Sequence, residues 1–487
     1  MYYHSTRGGA APVNSAQAVI RGLAEDGGLY MMDAMPPFDV RACLAQDTKG
    51  MAAMILGALL PEIPGMEQLV DRAYSGKFET EDLTPTRAVG PYTVLELFRG
   101  PTSAFKDVAL CMLPQLLGAA KRHEGIREET RILTATSGDT GKAALAGFAD
   151  APGISICVFY PHGGVSAVQR AQMVTQQGKN VHVCAVRGDF DDAQTGVKQI
   201  FEACNDGRRL RGRGFRLSSA NSINIGRLAP QLTYYFKAYR DLLDRQVIRM
   251  GDRVNFCVPT GNFGDILAGY LAKCLGLPVG RLICASNTNK VLADFFRTGT
   301  YDRRRRLQKT GSPSMDILVS SNLERLLYLM SGQDCRLVSK LMTQLREEGS
   351  YTVPGGLKAQ LDREFWADWA DEADTARTIR QVYEKYHYLL DPHTAVAWCV
   401  ARRYQQQKKD PTPMVVLSTA SVFKFPAVVL SAIGGDCPGD EFDQMEALSR
   451  ISGLPIPENL SALRELQPLH TAVIPREQMM EFALGNQ

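Results

Sequence analysis

Short apolar runs alternate with amphipathic segments from about residue 92 to residue 286 of this 487-residue chain. Short apolar runs predict buried strands, and apolar residues spaced three and four apart predict helices. The pattern predicts strands at 131–135, 155–160, 180–186, 254–258, 282–286 and 414–417, and helices at 141–149, 169–177, 193–204, 228–239 and 266–275. Such alternation indicates an α/β fold, in which mostly parallel sheets are flanked by helices.

The segments on either side of this pattern differ from it. Residues 1–90 place apolar residues at helical spacing between prolines, which predicts a mostly helical N-terminal domain. We expect an α/β core over 91–428, with an irregular and mostly helical insertion at about 297–390. The remaining residues, 429–487, are predicted to form a helical tail that packs on the core.

Composition narrows the class of protein. A chain of 487 residues is too long for a single hydrophobic core, so two or more lobes are expected. The net charge of +3, from 55 basic and 52 acidic residues, is too balanced for a protein that mainly binds nucleic acid or a membrane surface. We therefore expect a small-molecule partner, and no obligate protein partner is evident.

The 11 cysteines form no Cys-x-x-Cys pair and no Cys/His cluster at zinc spacing, so we expect no metal site. They are interpreted as small buried apolar residues in a reducing compartment. The segment 1–7 lacks an apolar signal core, and no stretch approaches about 18 uninterrupted apolar residues. These features predict a cytoplasmic protein.

Lys106 is the first candidate catalytic residue. It follows the chain-breaking run Gly100-Pro101-Thr102 and begins an apolar helical stretch. Burial and the positive end of a helix both lower the pKa of a lysine amine. Because the neutral amine is the form that reacts with a carbonyl, this lysine can form a Schiff base with an aldehyde.

Two glycine-rich loops follow predicted strands and precede predicted helices. In Gly261-Asn262-Phe263-Gly264, the backbone N–H groups at the helix start can converge on an anion, with the glycines adopting positive φ. We expect Asp265 to cap the helix that follows. In the other loop, the hydroxyls of Ser137 and Thr140 suit a carboxylate or a phosphate oxygen, and Asp139 either orients a cofactor or caps its helix.

Two further segments carry candidate polar groups. The run 218–227 is rich in amides and hydroxyls and ends in a guanidinium, which suits a doubly charged anion. A turn that caps the following helix explains its composition equally well. Thr419 follows a buried-looking strand, and its hydroxyl can hydrogen-bond a ring nitrogen.

Together these motifs resemble threonine synthase of the bacterial and fungal type, within the tryptophan-synthase-like family of pyridoxal-phosphate enzymes. The resemblance covers nearly the whole chain. The matching runs are Gly27-Gly28-Leu29-Tyr30, Leu95-Glu96-Leu97-Phe98, Ala104-Phe105-Lys106-Asp107, Thr136-Ser137-Gly138-Asp139-Thr140-Gly141, Asn221-Ser222-Ile223-Asn224, Gly261-Asn262-Phe263-Gly264-Asp265 and Ser418-Thr419-Ala420. This chain departs from the pattern at Ser421-Val422, where proline or histidine-proline is usual.

The resemblance implies a two-lobed fold type II enzyme that holds pyridoxal 5'-phosphate. Lys106 is then the Schiff-base lysine, and residues 261–265 hold the cofactor phosphate. Thr419 lies by the pyridine nitrogen, and Asp139 faces the cofactor. The implied substrate is O-phospho-L-homoserine, with Ser137 and Thr140 at its amino-acid end. Its phosphate is assigned to Asn221, Ser222, Asn224 and Arg227.

Three other interpretations stay open at this point. A phospholyase with the same site releases phosphate and a 2-oxo acid without adding water. A serine or threonine deaminase has no need for the anion-binding segment around Arg227. A catalytically inactive paralogue that serves as an interaction protein has no need of Lys106 and both glycine loops.

Overall fold

The computed structural model describes residues 1–136, 138–204 and 208–485. Its strands are β1 (Tyr2–Ser5), β2 (Val13–Asn14), β3 (Tyr30–Met32), β4 (Thr86–Val89), β5 (Tyr92–Glu96), β6 (Glu129–Ala135), β7 (Ile154–Pro161), β8 (Val181–Arg187), β9 (Phe215–Ser218), β10 (Val254–Pro259), β11 (Val279–Ser286), β12 (Thr300–Asp302), β13 (Ser350–Thr352), β14 (Phe365–Trp369), β15 (Met414–Ser418) and β16 (Val473–Pro475).

Helices connect and cover these strands. They are α1 (Ser15–Arg21), α2 (Val40–Leu44), α3 (Thr48–Leu59), α4 (Met66–Tyr74), α5 (Lys106–His123), α6 (Asp139–Phe148), α7 (Ala167–Val174), α8 (Phe190–Cys204), α9 (Ile225–Leu228), α10 (Leu232–Asp244), α11 (Gly264–Cys274), α12 (Val291–Thr298), α13 (Leu323–Met330), α14 (Cys335–Glu347), α15 (Gly355–Glu364), α16 (Glu372–Tyr386), α17 (Pro392–Lys408), α18 (Pro426–Ile433), α19 (Glu441–Ser452), α20 (Glu458–Ser461) and α21 (Met479–Leu484).

Two sheets form the α/β core and confirm the predicted fold class. One has six strands in the order β14-β11-β10-β15-β5-β4, all parallel except for the antiparallel pair β4–β5. The other has five parallel strands in the order β16-β8-β7-β6-β9. Every residue of β7 and of β10 is buried, because helices cover both faces of a parallel sheet.

The carboxyl ends of the central strands carry the site loops. The loop before α6 follows β6, the loop before α11 follows β10, and Thr419 follows β15. Open parallel sheets bind ligands beyond the carboxyl ends of their strands. The topology therefore brings the three predicted site segments to the same region from two different sheets.

The three flanking regions also contain strands that the sequence pattern did not indicate. The N-terminal region contains helices α1–α4 but also an antiparallel sheet of β1, β2 and β3, and β4 pairs with β5 across the proposed boundary at residue 90. The region 297–390 supplies β14, an edge strand of the six-stranded sheet, and the antiparallel pair of β12 and β13. The tail supplies β16, which pairs with β8. The boundaries of the three parts stay a proposal.

Within the described residues, no helix is long and apolar enough to cross a membrane. No disulfide joins any of the 11 cysteines, all of which lie in the described part of the chain, and most of them are buried.

Candidate active site

Lys106 is the first residue of α5, and its side chain is buried. Burial, together with the nearby cations Lys424 and Arg227, lowers the pKa of its amine to about 8 against the opposing charge of Asp139. The amine lies 3.3 Å from Ser314 Oγ and 3.8 Å from Asp139 Oδ2. An amine with this pKa is substantially neutral near pH 8, as the sequence led us to expect.

Hydrogen bonds fix the loop that precedes Lys106. The Asp107 carboxylate accepts from the backbone N–H of Thr102 at 2.8 Å and from its hydroxyl at 2.5 Å. On the other side, Phe105 N–H donates to the carbonyl of Thr419 at 2.9 Å, and Ser421 N–H donates to the carbonyl of Ser103 at 3.1 Å. The buried turn that carries Thr419 is therefore bonded directly to the start of the lysine helix.

Asp139 is a buried carboxylate between two lysines. Its Oδ1 lies 2.6 Å from Lys424 Nζ, and its Oδ2 faces Lys106. Burial favours a higher pKa for Asp139, but the two ammonium groups outweigh burial and hold the pKa well below its usual range. Helix α6 begins at Asp139 with Gly138 in the cap position and no side-chain cap, so Asp139 does not serve as the helix cap.

The loop around Gly138 is ordered by a residue that the sequence did not single out. Thr136 Oγ1 accepts from the N–H groups of Gly138 and Gly141, at 3.0 Å and 2.9 Å. Thr140 lies in the first turn of α6 and is partly exposed. Ser137, predicted to bind substrate, lies outside the described residues.

The second glycine loop has the expected helix start, but its backbone differs from the prediction. Positive φ occurs at Phe263 (64°) and not at the two glycines. Only glycine fits at position 261, where the backbone passes close to Ser314. A Cβ there would lie 2.4 Å from the carbonyl oxygen of Ser314. The first helical hydrogen bond of this turn joins Leu267 N–H to the carbonyl of Phe263. The N–H groups that precede Leu267 in the chain are therefore available to bind an anion. Asn262 is exposed, and Gly264 begins α11.

Asp265 does not cap α11 as we expected. Its Oδ1 accepts hydrogen bonds from the hydroxyls of Tyr234 at 2.6 Å and Tyr235 at 2.9 Å, both on α10. Burial raises the pKa of Asp265 to about 6, and the two hydroxyl bonds limit the rise. The tyrosines turn the carboxyl toward α10 and away from the N–H groups of the loop.

The run 218–227 divides into structural and available groups. Asn224 caps α9 by accepting from Gly226 N–H at 2.9 Å, and its amide donates to the carbonyl of Val19 at 2.9 Å. Arg227 is buried and donates to the carbonyl of Ala220, and burial lowers its pKa to about 10. Asn221 and Ser222 are partly exposed. Asn224 thus fits the turn-capping interpretation, whereas Arg227 is a buried cation near Lys106.

Part of the region 297–390 holds the site loops together, which the sequence did not indicate. Ser320 Oγ donates to the carbonyl of Gly261 at 2.8 Å. The backbone N–H of Asn322 donates to the carbonyl of Asn262 at 3.0 Å, and its amide donates to the carbonyl of Ser222 at 3.1 Å. The only local signal is the density of hydroxyl and amide groups over 310–322.

The same segment connects to the N-terminal domain. Glu324 accepts both Nε and Nη2 of Arg7 at 2.9 Å, and its Oε1 also accepts the hydroxyl of Thr6. Arg325 is fully buried and donates to the carbonyls of Tyr30 and Ile223. These hydrogen bonds join the N-terminal domain to the part of the chain that holds the site loops.

Several basic side chains lie at the site. Lys106, Lys424, Arg227 and Lys142 supply cations, and burial also lowers the pKa of Lys142 to about 8. Asp139 is the carboxylate that faces Lys106 most closely. Buried cations beside helix N-termini suit an anionic ligand. A reactive lysine and a close-fitting glycine loop suit a cofactor that has both an aldehyde and a phosphate.

Comparison with known families agrees with this geometry. The model for pyridoxal-phosphate-dependent enzymes matches residues 83–420, so the fold and site define an enzyme of that class, and pyridoxal phosphate is its cofactor. The models for the threonine synthase N terminus and for the threonine synthase C-terminal region match residues 2–74 and 394–475.

Individual proteins point to the same family. Threonine synthase from Eremothecium gossypii is 39% identical over 465 residues, which cover 88% of this chain and 89% of that protein. The crystal structure of pyridoxal-phosphate-bound threonine synthase from Brucella melitensis superimposes with a TM-score of 0.87 at 37% identity and covers 99% of both chains. The chain belongs to the threonine synthase family.

Other relatives are longer than this chain. Threonine synthase-like 1 from Macaca fascicularis is 38% identical over 484 residues, which cover 96% of this chain and 63% of that protein. This chain thus spans about three fifths of the length of the threonine synthase-like relatives that it matches.

Proposed function

We propose that this protein is a threonine synthase, which converts O-phospho-L-homoserine and water to L-threonine and phosphate. The observation that carries the proposal is the buried, low-pKa amine of Lys106 close to the buried cations Lys424 and Arg227. One anion-binding region suits the cofactor phosphate, and a second one suits a phosphorylated substrate. Family membership supports the same reaction.

The proposal assigns roles around the cofactor. Lys106 holds the cofactor aldehyde covalently, and the N–H groups of residues 261–265 hold its phosphate. Asp139 faces the cofactor, held in place by Lys424. The Thr419 hydroxyl is assigned to the ring nitrogen, because its backbone is bonded to the residue before Lys106. When bound, pyridoxal phosphate supplies an electron sink for negative charge at the substrate Cα.

The substrate is assigned to the segment around the start of α6 and to the run 218–227. Ser137 and Thr140 are proposed to bind its amino-acid end, and Thr140 lies in the first turn of α6. Arg227, Asn221 and Ser222 are proposed to bind its phosphate. Asn224 is proposed to act indirectly. Its side chain is already hydrogen-bonded to Gly226 and Val19, so it stabilises the loop that carries the other phosphate-binding groups.

The amine of Lys106 also suits the proton transfers of this reaction. Once the substrate has replaced it on the cofactor, the neutral amine can remove the proton from Cα. Overall, Cβ loses a proton as phosphate leaves from Cγ, a proton is added at Cγ, the hydroxyl of water is added at Cβ, and Cα regains its proton. Water must be excluded until phosphate has left, and a buried site favours that order.

The decisive experiment is to mix purified protein with O-phospho-L-homoserine and to identify the products. Threonine and phosphate in equal amounts support the proposal, whereas phosphate with a 2-oxo acid identifies a phospholyase. Lys106→Ala is the control, because it removes the reacting amine. Phosphate release by this variant at the wild-type rate would falsify the role of Lys106.

A cytoplasmic location is part of the proposal. Its support is that the 11 cysteines, all in the described residues, form no disulfide, as is usual for proteins in a reducing compartment.

A further inference from the structure

Ser314 occupies a junction between Lys106 and the rest of the site. Its hydroxyl lies 3.3 Å from Lys106 Nζ and 3.5 Å from Asp139 Oδ2. Its carbonyl oxygen lies against Gly261, where no Cβ fits. Its backbone N–H donates to Nε2 of His393 at 3.2 Å. Its hydroxyl, N–H and carbonyl thus contact three different parts of the site.

The hydrogen bonds of His393 define its tautomer. Because Nε2 faces an N–H donor, Nε2 must be the unprotonated acceptor. The proton is then on Nδ1, which donates to Asp391 Oδ1 at 2.9 Å. The ring therefore holds the Ser314 peptide as a neutral acceptor and passes no proton to the Ser314 hydroxyl.

Asp391 is itself held firmly. It caps α17, where its Oδ1 also accepts the backbone N–H of His393 at 2.9 Å, and the hydroxyl of Thr394 donates to its Oδ2. Asp391, His393 and Thr394 are all buried. The ring of His393 also packs edge-on against Phe425, with ring centroids 5.0 Å apart. The orientation of the imidazole is thus fixed on both sides by α17 and the turn after β15.

We propose that Ser314 is a further residue of the active site, which holds the Lys106 amine through its hydroxyl, and that His393 and Asp391 position Ser314. This inference rests on the proposed function only for the catalytic use of Lys106. The contacts on which it is based are formed by the protein alone. The hydroxyl of Ser314 is hydrogen-bonded directly to Nζ of Lys106, the nitrogen that reacts. His393 acts through the Ser314 peptide and is a positioning residue.

The proposal predicts a change in the pKa of Lys106. The Ser314 oxygen accepts from the ammonium form, so its removal makes the charged form less stable. Ser314→Ala should lower the pKa of Lys106 by about half a unit, which raises the neutral fraction about threefold below the pKa. His393→Leu removes the acceptor for the Ser314 N–H and should also lower the pKa of Lys106. His393→Gln places a neutral amide oxygen near Nε2 and should restore the wild-type value.

The measurement is the pH dependence of Lys106 acetylation in the full-length chain freed of cofactor, quantified by mass spectrometry of the Lys106 peptide. Ser286→Ala is the control, because Ser286 is a buried serine whose Oγ has no hydrogen-bond partner among the described residues. Urea unfolding of each variant shows that it is folded at the pH values used. For variants that lose stability, labelling is compared only below their unfolding midpoints.

The outcomes separate this inference from the proposed function. A lower Lys106 pKa in Ser314→Ala and His393→Leu, with recovery in His393→Gln, supports the inference whatever product the enzyme forms. An unchanged Lys106 pKa in Ser314→Ala overturns the role of Ser314. If His393→Leu lowers stability and leaves the Lys106 pKa unchanged, His393 is merely structural and its positioning role is overturned. The threonine assay fails or succeeds independently of these results.

Discussion

The ammonium group of Lys424 lies 2.6 Å from Asp139 Oδ1, and both side chains are buried. Lys424 also donates to the carbonyl of Thr102, in the loop before Lys106. The pair thus connects the turn after β15, the start of α6 and the lysine loop. Because Asp139 also faces Lys106, its charge affects the reacting amine.

Removing Lys424 should destabilise the protein strongly. Lys424→Met leaves Asp139 buried without its closest cation, and breaking a buried ion pair costs about 3–5 kcal/mol of unfolding free energy. Urea unfolding at pH 7 measures the loss. Lys408→Met is the control, since Lys408 is exposed on α17. Equal stability of the two variants would contradict the importance of the pair.

The same pair predicts a dependence of stability on pH. The pKa of Asp139 is lower in the folded chain than the value of about 3.9 in an unfolded one. The ion pair therefore contributes fully above about pH 4, and its contribution is lost as the pH falls toward the folded pKa. Between pH 5 and pH 3, the unfolding free energy should fall more steeply in wild type than in Lys424→Met. Parallel curves would contradict this prediction.

The pKa of Lys106 predicts how cofactor attachment depends on pH. Only the neutral amine reacts, so the rate at which the cofactor-free protein binds pyridoxal phosphate covalently should rise with pH and level off above about 8. Asp139 raises this pKa, so Asp139→Asn should move the midpoint to lower pH. Stopped-flow absorbance measures the rate, and borohydride reduction with peptide mapping confirms attachment at Lys106. A midpoint near 10.5 would show an unperturbed, exposed amine.

Gly261 should be intolerant of any side chain. In Gly261→Ala, the new Cβ meets the Ser314 carbonyl at 2.4 Å, so the glycine loop or the Ser314 peptide must move. We expect a loss of about 1–3 kcal/mol in stability and weaker binding of the cofactor phosphate. Gly57→Ala in α3 is the control, because its Cβ would meet nothing within 4 Å. Fluorescence titration with pyridoxal phosphate compares the two variants.

The predictable part of the fold was the part with strong local patterns. The strands β7 and β10 are mostly apolar because both faces of a parallel sheet are covered, and such runs are visible in the sequence. Edge strands were missed. β16 has only three residues. β14 contains an aspartate, which is tolerated there because an edge strand is covered less completely. Their pairing depends on distant partners that no local pattern reveals.

The same distinction applies to the site. Lys106 and the glycine loops could be proposed from the sequence because each has its own helix start and turn chemistry. Ser314 lies 208 residues from Lys106, and only the fold brings the two together. The capping of α11 by Asp265 was predicted wrongly because the two tyrosine hydroxyls of α10 were not visible as its partners.

Arg227 provides the sharpest test of the proposed substrate site. It is a buried cation, and hydrogen bonds to charged groups contribute about 1.5–3 kcal/mol. Arg227→Met should therefore raise KM for O-phospho-L-homoserine about ten- to a hundredfold, while the absorbance of the bound cofactor is retained. Arg227→Lys should recover part of the loss. Arg216→Met, which removes a more exposed cation paired with Glu128, is the control. A normal KM in Arg227→Met would place the substrate phosphate elsewhere, and loss of the cofactor absorbance would assign Arg227 to the cofactor instead.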